Sequence, residues 1–403
     1  MRAERAAARS SGRSRDRHLR AVRPDEAAAP RRRDRSVGLL LASTGLLTVA
    51  GLVMVLSASS VSAYDRYGSS FLFFRRQLLY AAIGGAALLV TSRMRVRAWQ
   101  RLAVPLTVVA VALLVLVLHP AAGQSAGGSA RWLALGPFNL QPSELAKFAI
   151  VALTATIVAR KWKRLDDPAQ IALPLAPIVG LVCLLVLLQP DLGTMTVIAA
   201  SVFLVLFVAG VRIRYLALVG ALAGAAGTAL ILVAGYRKAR LLSFLNPWSD
   251  PHGAGFQVIQ SLIGFVSGSW TGVGLGASRQ KWSVLPNAHT DFIFSIVGEE
   301  LGLIGTFVLL TLFGLFLYAG IRIAMRAPDR FARLLSAGIV AWLGFQTIVN
   351  LGAVTGMLPI TGVPLPFVSF GGSSLVVSLA AVGVLVRIGR ESAPVRSGQG
   401  RSR

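Results

Sequence analysis

Asp291 stands in the stretch LPNAHTDFIFSIVGEELG, residues 285–302, with His289 two positions before it and Glu299 and Glu300 further along the same run. A carboxylate at the mouth of an apolar helix can take a proton from an attacking hydroxyl, ligate a cation, or stabilise the helix dipole. With the helix starting at Thr290 or Asp291, Glu299 and Glu300 lie about 12 Å deeper than Asp291 and are rotated from it by about 80° and about 180°. Three carboxylates so spread cannot serve one reacting atom. Asp291 alone is at the depth where a membrane-anchored substrate would present its head group, and the residue by itself leaves base and helix cap equally open. Glu299 and Glu300 are expected to make buried hydrogen bonds between helices or to floor a polar cavity. His289 could be a base or a ligand, but the sequence nearby holds no second His for a two-His metal site.

A second candidate is QPSELAK, where Glu144 opens an apolar run and Lys147 follows on nearly the same helical face. Charges inside a span are costly and are normally paired or functional. An i,i+3 ion pair near the helix start and a pair that meets a ligand are both consistent with the spacing. In LLQPDLGT, Asp191 reads as the N-cap of the next helix. The long segment 236–290 carries Arg237, Lys238, Arg240, Arg279 and Lys281, a cation set that could form an anion site. Its Gly-Val-Gly-Leu-Gly run follows no strand and precedes no Lys-Ser/Thr, which excludes a nucleotide-binding loop. GMLPITGVPLPFVSFGGSS, ending on Ser373 and Ser374, reads as a reentrant loop against a cavity.

These residues must be positioned by membrane spans. The chain has 403 residues, of which 55% are hydrophobic and only 14% charged, far from the balance of an ordinary soluble domain. Apolar runs of spanning length fall near 37–57, 74–92, 102–118, 143–160, 171–188, 192–210, 215–235, 291–320, 332–357 and 373–389. The fold class is therefore an all-α polytopic membrane protein of about ten helices, with a large loop, 236–290, between the seventh and eighth. The net charge of +25 collects in tails and short loops, so it signals topology rather than nucleic acid. Alternate loops carry Arg93, Arg95, Arg97 and Arg101, then Arg160, Lys161, Lys163 and Arg164, then Arg212 and Arg214, then Arg322, Arg326, Arg330 and Arg333. Those loops and both termini are placed in the cytoplasm, and loop 236–290 outside. The domains expected are a disordered tail over 1–36 with twelve Arg, a membrane domain over 37–389 and a cytoplasmic tail over 390–403. The tail's charge adds affinity for anionic membrane lipids. A leader cleaved near Ser57-Ala58-Ser59 is the competing reading, opposed by the long tail and the span-length run before it. Cys183 is the only cysteine, so disulfides within the chain are impossible.

In order and spacing, ARWLALGPFNLQPSELAKF, LLQPDLGT, NPWSDPHGAGFQVIQS, LPNAHTDFIFSIVGEELG and GVPLPFVSFGGSS resemble the motifs of the SEDS family of shape, elongation, division and sporulation proteins. The resemblance covers nearly the whole apolar chain. YRKARLLSFLNPWSDP and Gln280-Lys281 look more like the division member FtsW, GVPLPFVSFGG leans toward the elongation member RodA, and Phe370 replaces the motif's usual Tyr. The resemblance implies a peptidoglycan glycosyltransferase that polymerises lipid II on the outer face of the bacterial plasma membrane, at the division septum or, on the RodA alternative, during elongation. It implies a class B penicillin-binding protein as transpeptidase partner, alongside other division or elongation proteins. Asp291 matches the family's essential aspartate, Trp132 the Trp of its RW motif, and Glu144 and Lys147 its polar pair in the fourth span. On that basis the substrate-binding set is Trp132, Glu144, Lys147, Arg237, Arg240, Arg279, Lys281, His289 and Ser373, with Asp291 as general base. A divalent cation, Mg or Mn, held between Asp291 and a substrate pyrophosphate would leave little trace in sequence. Two rivals from other classes are a lipid II flippase, which intramembrane charges would suit, and a noncatalytic scaffold for a transpeptidase.

Overall fold

The computed structural model describes residues 35–392 apart from 122, 127, 128, 137, 234, 254 and 283. The chain divides into two units, Met1–Arg35 and Ser36–Arg403, and the described elements belong to the second. The Arg-rich tail and nearly all of the C-terminal tail lie outside the described residues.

Each of the ten apolar runs falls on a helix. In chain order these are α1 Ser36–Tyr67, α2 Leu72–Arg93, α3 Val96–Leu118, α4 Pro142–Arg160, α5 Pro168–Leu188, α6 Leu192–Val208, α7 Ile213–Val233, α10 Ile293–Met325, α11 Arg330–Val354 and α12 Gly372–Glu391. The two numbers left over belong to helices inside the long loop, α8 Gly235–Leu245 and α9 Phe256–Gly268. Among the described residues eight helices are long and apolar enough to cross a membrane, and α6, at 17 residues, is shorter. The first helix runs unbroken through Ser57-Ala58-Ser59.

Several helix starts follow from local sequence. Pro168 and Pro142 sit at first helical positions, where no amide hydrogen is needed. Asp167, Asp191 and Asp329 cap α5, α6 and α11 by accepting from the amides of Ala169, Thr194 and Ala332. The cap expected at Asp191 is therefore present, and Thr194 Oγ1 adds a second bond to the same carboxylate.

Burial sorts the helices into a centre and a surround. Most of the apolar window is buried in α4 (83%), α11 (72%) and α12 (72%), against 28% in α3, α5 and α10. A helix enclosed on every side must be apolar all round, and α4 shows no sided pattern. Glu144 and Lys147 ride in the first turns of this most enclosed helix, so they enter the interior rather than the lipid.

Two segments depart from the all-α expectation. Residues 119–142, which connect the third and fourth apolar runs, contain an antiparallel sheet of β1 Gly123–Ala126, β2 Ser129–Leu135 and β3 Phe138–Leu140. Short strands of small residues carry little periodic signal. Helix α10, expected to start at Thr290 or Asp291, starts at Ile293 and breaks at Gly302, whose φ is 65°. A Cβ at Gly302 would collide with the Gly272 amide nitrogen, so this close left-handed crossing requires glycine. At the break the amides of Leu303 and Ile304 donate to Ser269 and Trp270, and the amides of Val273 and Gly274 donate to the carbonyls of Glu299 and Glu300. The loop after α9 is thereby stitched into α10.

Candidate functional site

Asp291 lies just before the first turn of α10, half-buried, where three elements meet. Its backbone carbonyl accepts from Asn350 Nδ2 of α11 at 2.8 Å, and the same nitrogen donates to Val363 of the 355–371 segment at 2.8 Å. Gly362 leaves room beside the carboxylate: a Cβ there would stand 3.6 Å from Oδ2. The 355–371 segment is non-helical and buried in its second half, with Val363, Leu365, Phe367 and Val368 all packed inside. Its backbone is satisfied by side chains: Gln346 Nε2 donates to Pro364, Gln77 Nε2 donates to Ser369, and Ser369 Oγ accepts from the Leu365 amide.

One turn before Asn350 on the same face of α11, Gln346 joins this region to the charges of α4. Its Oε1 accepts from Lys147 Nζ at 2.7 Å and from Trp342 Nε1 at 2.9 Å, and Lys147 also donates to Glu144 Oε1 at 2.9 Å. The Lys147 ammonium stands 5.3 Å from the centroid of the Trp342 ring. Glu144 and Lys147 are both buried, and the intrahelical pair expected from their spacing is formed. The pair is not saturated. Glu144 Oε2, Ser143 Oγ, Asn350 Oδ1 and Thr361 Oγ1 are buried without a hydrogen-bond partner among the described residues. Buried polar atoms are rarely left so, and here they lie on or beside the chain Asp291–Asn350–Gln346–Lys147–Glu144. Sequence reading missed Trp342, Gln346 and Asn350, although three polar side chains spaced by four within an apolar span are a visible signal.

The remaining candidates are distributed around this line. Trp132, half-buried, pairs with Gln124 on the β1–β2 ladder. Beside it Arg131 fixes the sheet to the α5–α6 turn, donating from Nε to Gln189 and from Nη2 to Pro190, with Nη1 4.0 Å from Asp191. Ser373, at the start of α12, accepts from the Gln141 amide just ahead of α4. His289 packs edge and face among aromatics, 4.7 Å from Phe73 and 5.7 Å from Phe370 between ring centroids, and its carbonyl accepts from the Phe370 amide. Burial, with the nearby Arg66 charge, pushes its imidazole down to about 4, so it is neutral at physiological pH. Arg237 and Arg240 fall on α8, and their side chains lie outside the described residues. Arg279 is exposed, whereas Lys281 is buried, 3.8 Å from Glu300, and donates to the Gly276 carbonyl.

The two glutamates do not face other helices alone, as the sequence suggested. Glu299 accepts from Ser278 Oγ and from the amides of Arg279 and Gln280. Glu300 accepts from the Ser278 amide and, across to α1, from Ser57 Oγ at 2.6 Å. Among the described residues no group of three or more His, Cys, Asp or Glu side chains gathers as a metal site. A divalent cation finds no ready set of protein ligands there, and no catalytic step is assigned to one.

Residues 38–393 match the family of cell cycle proteins that groups FtsW, RodA and SpoVE. The chain belongs to this family. It is 44% identical over 354 residues to stage V sporulation protein E of Bacillus subtilis, covering 88% of this chain and 97% of that one. It is equally 44% identical over 342 residues to the probable peptidoglycan glycosyltransferase FtsW of Geobacter metallireducens, covering 85% and 91%. Among solved structures, a chain from a study of structural coordination of polymerization and crosslinking by a peptidoglycan synthase complex superposes with a TM-score of 0.70 at 34% identity. The crystal structure of the rod shape determining protein RodA of Thermus thermophilus superposes with a TM-score of 0.65 at 30% identity; each match covers 88% of this chain and 97% of the other. The family expected from the motifs and the polytopic helical fold are both confirmed, and the division and sporulation relatives are equally similar.

Proposed function

We propose that this peptidoglycan glycosyltransferase polymerises lipid II into glycan strands at the outer face of the plasma membrane, with Asp291 as general base. In the reaction the acceptor sugar 4-hydroxyl attacks the anomeric carbon of the donor. The new C–O bond forms as the bond to phosphate breaks, the hydroxyl proton passes to the Asp291 carboxylate, and undecaprenyl pyrophosphate leaves. The observation that carries the reading is the placement of Asp291: half-buried at the mouth of α10, held through its carbonyl by Asn350, with its carboxylate beside Gly362. Neutral His289 beside it adds no competing charge.

The unsaturated polar atoms at Ser143, Glu144, Asn350 and Thr361 suit a hydroxyl-rich and amide-rich ligand, which would supply the missing partners. Trp132, on the β1–β2 ladder, and Ser373, which holds the Gln141 amide ahead of α4, are assigned to substrate binding. Arg279, with Arg237 and Arg240 of α8, supplies the positive charge that a departing pyrophosphate requires. The basic loops support a cytoplasmic side for both termini, and in that orientation the sheet, loop 236–290 and Asp291 face outside. A class B penicillin-binding protein is the partner that would crosslink the strands. The FtsW-like motifs favour work at the division septum; a RodA-like role in elongation is the alternative within the family.

Incubation of the purified full-length protein with labelled lipid II, with and without its transpeptidase partner, tests the reading. Polymer from wild type and a loss of about 10²- to 10⁴-fold in Asp291→Asn, with folding and partner binding kept, is the expected result. Near-normal glycan from Asp291→Asn would remove the base assignment. Transbilayer lipid movement without polymer would make the protein a flippase, and neither activity would make it a scaffold.

A further inference from the structure

Glu299 and Glu300 remain unexplained by the proposed chemistry. Glu299 is six positions past Ile293, the start of α10, which places it about 9 Å along the helix axis from that end. At that level a membrane helix ordinarily has no business with a loop, because an irregular backbone in hydrocarbon leaves amides unpaired. Here the loop after α9 descends to it, and the two carboxylates provide the missing acceptors. Glu299 collects the Ser278 hydroxyl and two successive amides, those of Arg279 and Gln280. Glu300 collects the Ser278 amide, and Lys281 and Ser57 beside it complete its surroundings. Successive amides converging on one anion fix the local backbone conformation.

That conformation has one visible outcome. Ser278, Gln280 and Lys281 are turned inward and buried, while Arg279 between them is turned out and forms no ion pair among the described residues. The outer surface of the same loop is apolar: Trp270, Val273 and Leu275 are exposed. An arginine beside such a surface is costly in hydrocarbon unless its guanidinium rises to meet an anion at the head-group level. A diphosphate carried on a lipid is an anion delivered from that side.

We propose that Glu299 and Glu300 are positioning residues, which clamp residues 269–281 so that Arg279 is presented to the diphosphate of the lipid-linked substrate. The clamp rests on the reading of the protein as a lipid II polymerase with Arg279 at the pyrophosphate. It acts on the leaving group and leaves the base untouched.

The test is a double-mutant cycle in the full-length protein, read as initial rates of glycan synthesis against lipid II concentration, with amide hydrogen exchange followed over residues 269–281. Arg279→Ala is expected to lower kcat about 10²-fold, with KM less affected and exchange unchanged. Glu299→Gln is expected to lower kcat comparably while exchange over the loop speeds up, and the double variant is expected to be no slower than the worse single one. Multiplying losses, or a wild-type kcat in a Glu299→Gln protein whose loop has loosened, would overturn the clamp. If Glu299→Gln does not fold, Ser278→Ala removes only the hydroxyl donor and enters the same cycle. An active Asp291→Asn protein defeats the polymerase base itself. An inactive Asp291→Asn protein with multiplying losses in the cycle defeats only the clamp.

Discussion

Two glutamate–lysine pairs are buried among the described residues, and they are built on opposite plans. Glu144 and Lys147 lie one turn apart on the most enclosed helix, in contact at 2.9 Å, yet one carboxylate oxygen and the neighbouring Ser143 hydroxyl find no partner among the described residues. Glu300 and Lys281 are 3.8 Å apart across a loop, and Glu300 is further supplied by a hydroxyl and an amide. The first pair has spare acceptor capacity, which a bound molecule would fill. In the second, both Glu300 oxygens already have partners, although the neighbouring Gln280 Oε1 has none among the described residues. Saturation, rather than charge or depth, is what separates a polar group held ready for a ligand from one that holds the chain.

The largest effect in this comparison is expected from Lys147→Met. It strands Glu144 in the interior, and breaking a buried pair on one side costs about 3–5 kcal/mol, measured as a fall in Tm of the detergent-solubilised protein. The double variant Glu144→Gln/Lys147→Met is expected to regain most of the stability and none of the glycan synthesis; recovery of synthesis would reduce the pair to packing. Lys281→Met is expected to cost less, about 1–3 kcal/mol, because Glu300 keeps Ser57 and the Ser278 amide. Equal losses at Lys147 and Lys281 would erase the distinction between the two plans.

The smallest effect concerns His289, a half-buried polar group that belongs to neither plan. Its folded value of about 4 lies below the ordinary 6.5. Between those values the unfolded chain binds the proton and the native state does not, so stability falls as pH drops from about 6.5 toward 4. His289→Phe keeps the contacts with Phe73 and Phe370 and is expected to flatten this part of the Tm–pH curve. An unchanged slope would assign the acid sensitivity to other groups.

What the sequence discloses divides along a physical line. The ten apolar helices, the Asp191 cap and the Glu144–Lys147 pair are local, written in apolar length or in a three-residue spacing, and all appear in the structure, eight of the helices being long and apolar enough to cross a membrane among the described residues. The glutamate clamp is not local: Ser278 comes from a loop some 20 residues upstream, and Ser57 from the first helix, 243 positions away. No periodicity announces such contacts. The sheet over Gly123–Leu140 was illegible for a different reason, since its strands are short and rich in Gly, Ala and Ser. Gln346 and Asn350 stand one turn apart in an apolar run and so leave a local trace, but being neutral they signal less strongly than the charges of α4.

The break at Gly302 has a consequence for motion. In an uninterrupted helix the Glu299 and Glu300 carbonyls would accept from the amides of Leu303 and Ile304. Those are the amides now given to Ser269 and Trp270, while the two carbonyls are given to Val273 and Gly274. Straightening α10 and keeping the loop docked therefore compete for the same peptide groups. The two arrangements exclude each other, and passage between them is an exchange of partners in which the loop must leave before the helix can close.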